Sequence, residues 1–269
     1  MKRAIGIFDS GVGGLTVFKS IREKLPAEHI IYFGDTARVP YGPKSKDTVI
    51  KYSIQNALFL MQYNIKCLVV ACNTSSSVAL PVLANRFDVP IIGVIRPGAE
   101  KAVSITKNKK IGIIGTERTI RSRAYAHEIK EIDANCQVFS KACPLFVPLV
   151  EESWANRPET KSIAKDYLQV LLKKDIDTLI LGCTHYPILK PIIEDIVGKK
   201  VKIIDSAQAV ADMITQEIAI SKNGKLKGKN KFFVSDNIKK FVTIGRNIIN
   251  CEIEDISLVS LVETWYPNR

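Results

Sequence analysis

The sequence predicts an α/β protein built from two pseudo-symmetric, parallel-sheet lobes that face each other across a cleft. Short apolar runs rich in Ile and Val alternate with longer amphipathic stretches, the pattern of a parallel sheet carrying helices on both faces. The first half of the chain also returns in the second half, in the same order. "AIGIFDS" (4–10) comes back as "KIGIIGT" (110–116), "LVVACNT" (68–74) as "LILGCTH" (179–185), and "VPII" (89–92) as "VKII" (201–204). The offsets are 106, 111 and 112 residues, so this is one duplication and not a solenoid of short repeats.

In chain order, "AIGIF" (4–8), "HIIYF" (29–33), "CLVVA" (67–71) and "PIIGV" (90–94) are predicted as buried strands. Between them, "LTVFKSIREKL" (15–25), "KDTVIKYSIQNALFLMQY" (46–63) and "SSVALPVLANRF" (76–87) carry apolar residues at helical spacing. The repeat then sets lobes of 1–95 and 96–207. Residues 208–269 carry on the predicted helix "SAQAVADMITQEIAI" (206–220) and continue through a lysine-rich loop (221–231), "KFFVSD" and the amphipathic "NIKKFVTIGRNII". A segment that small has little core of its own and is expected to pack back onto a lobe.

Composition narrows the function classes. The chain has 269 residues, 46% hydrophobic and 25% charged, as in ordinary soluble globular proteins. No run approaches the ~18–20 apolar residues of a membrane span. At the N-terminus "AIGIF" is too short for a signal-peptide core and Asp9 interrupts it, so a cytoplasmic protein is expected. Six cysteines without a C-x-x-C pair, and three histidines, argue against both a disulfide framework and a zinc site; no metal is expected. Cys67 and Cys251 read as small buried hydrophobes. The net charge of +12 collects in turns such as "TKNKK" (106–110) and the 221–231 loop, without interleaved aromatics. That is a solvated basic surface, with neither a specific nucleic-acid partner nor a membrane implied.

The chemistry is expected at the carboxyl ends of the strands, where open α/β sheets bind ligands. There lie "DSGVGG" (9–14), "GDTARVPYG" (34–42), "CNTSSS" (72–77) and "CTHYP" (183–187). The glycine-rich turn lacks a P-loop lysine and has the wrong spacing for a dinucleotide fingerprint, so neither ATP nor NAD is indicated. It is suited to turn sharply into a helix whose N–H groups favour an anion. Cys72 and Cys183 follow their strands at or near a helix N-terminus, a setting expected to lower the thiol pKa. His185 is placed to orient or protonate a neighbour of Cys183, and Asp9 to do the same for Cys72. Two thiols facing each other across a cleft suit one reaction above others. One removes a proton from one face of a carbon stereocentre and the other returns a proton to the opposite face, with no cofactor.

The motifs "FDSGVGGL", "GDTARVPYG", "ACNTSSS", "LFVPLVEE" and "LGCTHYP" resemble, in order along almost the whole chain, those of the bacterial glutamate racemases. The resemblance implies cofactor-independent interconversion of L- and D-glutamate, with D-glutamate supplied to peptidoglycan. It implies Cys72 and Cys183 as the acid/base pair. It implies that Asp9, Ser10, Tyr41, Gly42, Asn73, Thr74, Thr184 and His185 hold the amino acid, with Thr116 (the counterpart of Ser10) and Glu151 in support. It further implies a homodimer and a C-terminal segment returning to the first lobe. The sequence departs from the family at Arg96 of "VIRPG", where an acidic residue is usual, and has serine in "CNTSSS" where alanine is common. A racemase of aspartate or another amino acid on the same fold is the alternative.

Overall fold

The structure, a computed structural model, describes residues 3–217, 228–250 and 252–261. The first sheet begins with β1 (Ala4–Asp9), α1 (Leu15–Lys24), β2 (Ile30–Gly34), α2 (Lys46–Met61), β3 (Ile65–Val70), α3 (Asn73–Arg86) and β4 (Ile91–Gly93). Helix α4 (Ile95–Ile105) crosses to the second sheet. There follow β5 (Lys110–Gly115), α5 (Glu117–Ser122), α6 (Ala124–Ile132), β6 (Gln137–Ala142), α7 (Phe146–Glu151) and α8 (Pro158–Leu172). Strand β7 (Thr178–Gly182), a 3₁₀ turn (Tyr186–Leu189), α9 (Lys190–Val197) and β8 (Lys202–Asp205) complete that sheet. The chain then returns through α10 (Ser206–Glu217), β9 (Asn230–Val234), α11 (Ile238–Ile249) and β10 (Ile256–Leu258).

The duplication is visible in the strand order. The second sheet runs β6-β5-β7-β8, and the first contains the matching series β2-β1-β3-β4, extended at the β2 edge by β9 and β10. Every pairing is parallel, with Ile5 opposite Ile30 in one sheet and Ile111 opposite Val138 in the other. The segment after residue 208 thus joins the first sheet, β9 lying beside β2.

Alternation along each strand feeds two cores per sheet. In β1, Ile5 and Ile7 face a core under α1, α10 and α11, while Ala4 and Phe8 face the one under α2 and α3. In β7, Leu179 and Leu181 go one way and Ile180 the other. Cys67 is fully buried in the first core, as its sequence setting suggests. Cys251, the end of the helix predicted at 206–220 and most of the 221–231 loop lie outside the described residues.

Two elements differ from their sequence reading. Helix α3 starts at Asn73, three residues earlier than its apolar pattern, because Cys72 serves as its N-cap and accepts from Ser75 N. After Cys183 the chain forms a 3₁₀ turn before α9 begins, with a proline near the start of each (Pro187 and Pro191). Among the described residues, no helix is long and apolar enough to cross a membrane.

Candidate active site

The carboxyl ends of β1, β3, β5 and β7 converge, and the loops that follow them close around one small cavity. Ser10, Tyr41, Gly42, Cys72, Asn73 and Thr74 line it from the first lobe; Thr116, Cys183, Thr184 and His185 line it from the second. Pro40 and Val147 complete the wall. The space amounts to about 10 Å³, room for about one water molecule. The lobes lie close together here, and an amino acid needs more room than the cavity offers as it stands.

Asp9 organises the first-lobe side. It is fully buried at the end of β1, and its Oδ2 accepts from Gly11 N and Gly14 N, both at 3.0 Å. The anion held by the glycine-rich turn is thus the protein's own carboxylate, where the sequence pointed to a ligand. Asp9 Oδ1 accepts from Thr184 Oγ1 across the cleft at 3.2 Å. Gly13 makes this approach possible: a Cβ there would lie 2.6 Å from both His185 Nδ1 and Thr184 Oγ1. A second bridge joins Thr74 Oγ1 to Thr116 Oγ1 at 2.9 Å, with Thr119 Oγ1 3.0 Å beyond Thr116. Nearby, Arg118 N donates to Gly42 O at 3.1 Å.

The two cysteines have unlike surroundings. Cys72 is 4% exposed; its Sγ accepts from Ser75 N at 3.5 Å and donates to Ser10 Oγ at 3.7 Å. Cys183 Sγ lies 3.9 Å from His185 Nδ1, and His185 Nε2 lies 2.8 Å from Glu151 Oε1. Lys240 of α11 extends that series, its Nζ 3.6 Å from Glu151 Oε2 and 3.1 Å from Glu152 Oε1. All the site residues read from the sequence are thus gathered at or beside one cavity. Tyr41 differs in detail, since its hydroxyl donates to the Asp35 carboxylate and accepts from Asn56 Nδ2 at 3.1 Å. What it presents to the cavity is not a free O–H.

The amino-acid sequence matches the family model described as Asp/Glu/Hydantoin racemase over residues 5–214. It is 48% identical over 265 residues to the glutamate racemase of Geobacter metallireducens, covering 96% of this chain and 97% of that one. The chain belongs to the glutamate racemase family. Among solved structures, a glutamate racemase isoform from Bacillus anthracis superposes with a TM-score of 0.92 at 40% identity, covering 96% of this chain and 98% of that one. The glutamate racemase of Francisella tularensis in complex with D-glutamate gives a TM-score of 0.89 at 38% identity, with 96% and 98% covered.

The enzyme is therefore an amino-acid racemase, an isomerase. Its electrostatics correct one sequence expectation. Burial, reinforced by the Asp9 charge, pushes the Cys72 thiol up to about 12, against the downward pull of Ser75 and Ser10. The helix N-terminus does donate, but desolvation in the shut site outweighs it. Cys183 has no α-helix at its back and takes its polar partner from a histidine instead. Burial alone would push His185 down; its contacts with Cys183 and Glu151 prevail and hold it at about 10. Burial likewise opposes Glu151, yet His185 and Lys240 keep that carboxyl below its ordinary value. Asp9 is raised by burial despite His185 and its three donors. At neutral pH, then, a protonated Cys72 shares the cavity with a Cys183 accompanied by an imidazolium.

Sequence reasoning missed Tyr125, Ser206, Asp35 and Lys240. The Tyr125 hydroxyl donates to Asn73 Oδ1 at 2.7 Å and lies 2.9 Å from Ser206 Oγ. Asp35, one residue past β2, collects Arg38 Nε at 2.7 Å and Ser235 Oγ at 3.0 Å, which braces the loop carrying Tyr41. "GDTARVPYG" held the signal for Asp35. Nothing in sequence pointed to the others.

Proposed function

We propose that the enzyme interconverts L- and D-glutamate without a cofactor, by transferring protons at Cα between Cys72 and Cys183. The observation that carries this reading is positional. The two cysteines follow equivalent strands of the two duplicated lobes and line the same cavity. One thiolate takes the Cα proton while the opposite thiol gives its own proton to the other face. The product leaves with the two protonation states exchanged. Ser10 and Asn73 at the cavity, joined by Thr74 and Thr184 once their bridges to Thr116 and Asp9 are released, are suited to the substrate's carboxylate oxygens and to charge developing beside Cα. Asp9 and the Glu151–His185 pair position the two ends. Cys72, held as a thiol in the shut site, is suited to deliver a proton.

The substrate assignment is supported by the family relation and by the D-glutamate named in the Francisella complex. The remaining parts of the proposal are supply of D-glutamate to peptidoglycan, a cytoplasmic homodimer, and lobes of 1–95 with 208–269 and of 96–207. Incubation with a panel of amino acids in D₂O tests the chemistry. Glutamate should lose its Cα–H signal, with deuterium appearing first in the product while unreacted substrate stays protiated. Cys72→Ala and Cys183→Ala should each abolish racemisation. Substantial substrate-derived hydrogen in early product, or exchange confined to aspartate, would overturn the mechanism or the substrate respectively.

A further inference from the structure

Asn73 follows Cys72 directly, in the first turn of α3, and is 3% exposed. Its Oδ1 is engaged by the Tyr125 hydroxyl, which in turn meets Ser206 Oγ, at the two distances given above. These three buried side chains come from different parts of the fold: α3 on the first sheet, α6 on the second, and the residue where α10 leaves β8 for the first sheet. Helix α4 closes over them. A Cβ on Gly98 would lie 2.8 Å from Ser206 Oγ and 3.3 Å from Tyr125 Cε1. Asn73 also lines the cavity, and among the described residues its Nδ2 donates no hydrogen bond.

An amide with its oxygen tied down and its N–H₂ group facing a cavity is a waiting pair of donors. A phenol donates better than it accepts, which favours the amide oxygen on the Tyr125 side. Were the amide reversed, its oxygen would confront an incoming carboxylate. We infer that Tyr125 and Ser206 are positioning residues: they hold the Asn73 amide so that Nδ2 meets a carboxylate oxygen of the substrate, and they do so only when the lobes shut. The inference rests on the racemase reading above, because it needs an amino acid bound between the cysteines. Burial keeps the Tyr125 proton in place, its pKa being raised above the ordinary tyrosine value. The second lobe thereby sets the orientation of a first-lobe binding group.

The test is a double-mutant cycle on the substrate identified in D₂O, comparing wild type, Tyr125→Phe, Asn73→Ala and the double variant. Tyr125→Phe keeps the ring and its packing and removes only the hydroxyl. We expect kcat/KM to fall about tenfold, mostly through KM. The fall must be equal in both directions, because two enantiomers have an equilibrium constant of unity. Added to Asn73→Ala, Tyr125→Phe should cost nothing further. Ser206→Ala should cause a smaller KM rise that vanishes in the Tyr125→Phe background. A Tyr125→Phe loss that persists undiminished beside Asn73→Ala, or an unchanged KM, would overturn the inference and leave the racemase reading standing. A wild type that turns over no amino acid would remove both.

Discussion

Glu151→Gln leaves the shape of the site intact while removing the carboxylate charge from His185 Nε2, 2.8 Å away. A histidine carried from 6.5 to about 10 has its charged form favoured by on the order of 5 kcal/mol, at ~1.4 kcal/mol per pH unit. The folded-state value lies above the unfolded one, so this contribution is complete below pH 6.5. Between pH 6.5 and 10 the unfolded chain gives up its proton while the folded protein keeps it. The His185 contribution should therefore fall by about 1.4 kcal/mol per pH unit across that window, and the raised Cys72 thiol continues the decline toward about pH 12. Loss of one charged neighbour typically lowers such a midpoint by about 1–3 units. The His185 share of the alkaline decline should end that much earlier in Glu151→Gln than in wild type. The variant should also lack the stability that wild type loses in acid as pH falls through the depressed Glu151 value. NMR titration can follow His185 directly, since the sequence holds three histidines and His185→Asn assigns the signal. Denaturant unfolding at stepped pH supplies the energies. A wild-type His185 titrating near 6.5, or the same midpoint in Glu151→Gln, would refute the reasoning.

Other consequences can be checked separately. Asp9→Asn should lower kcat/KM by ~10²–10⁴-fold, equally from L- and D-substrate; near-wild-type turnover would remove Asp9 from the machinery. Gly13→Ala places a methyl group where Thr184 and His185 must come, at 2.6 Å. It should cost about 10²-fold in activity while far-UV circular dichroism stays unchanged. In Cys183→Ala, alkylation of Cys72 should still be accelerating above pH 9, in line with a thiol at about 12; a plateau near 8.5 would contradict the burial argument. Dialysis against a chelator should leave racemisation intact, and activity restored only by added zinc would count against the cofactor-free reading.

What the sequence disclosed follows from burial. Strands β1, β3, β5 and β7 are covered on both faces, so they read as largely apolar runs rich in Ile, Val and Leu and their repetition could be aligned. β6, "QVFSKA", is an edge strand with no fully buried residue; its polar composition hid it. The cysteines and their neighbours were legible because strand ends mark where α/β sheets bind ligands. Tyr125, Ser206 and Lys240 were not, because each matters only through a contact between elements far apart in the chain. The thiol pKa went astray for another reason. A helix N-terminus is a local feature visible in sequence, whereas the desolvation of Cys72 depends on a second lobe settling over it.

The shut cavity also acts as a clock. Both sulfurs are almost wholly buried, and with an amino acid filling the space between them bulk solvent would have little access to either. A hydrogen lifted from Cα is sequestered on its sulfur until the lobes part, and only then can it wash out. The isotopic record of each turnover is therefore a comparison of two rates, opening against chemistry. Viscous solvent, which slows opening alone, should raise the share of catalytic cycles that run backward with the original hydrogen before release. Deuterium content would then measure a motion that no side-chain titration reports.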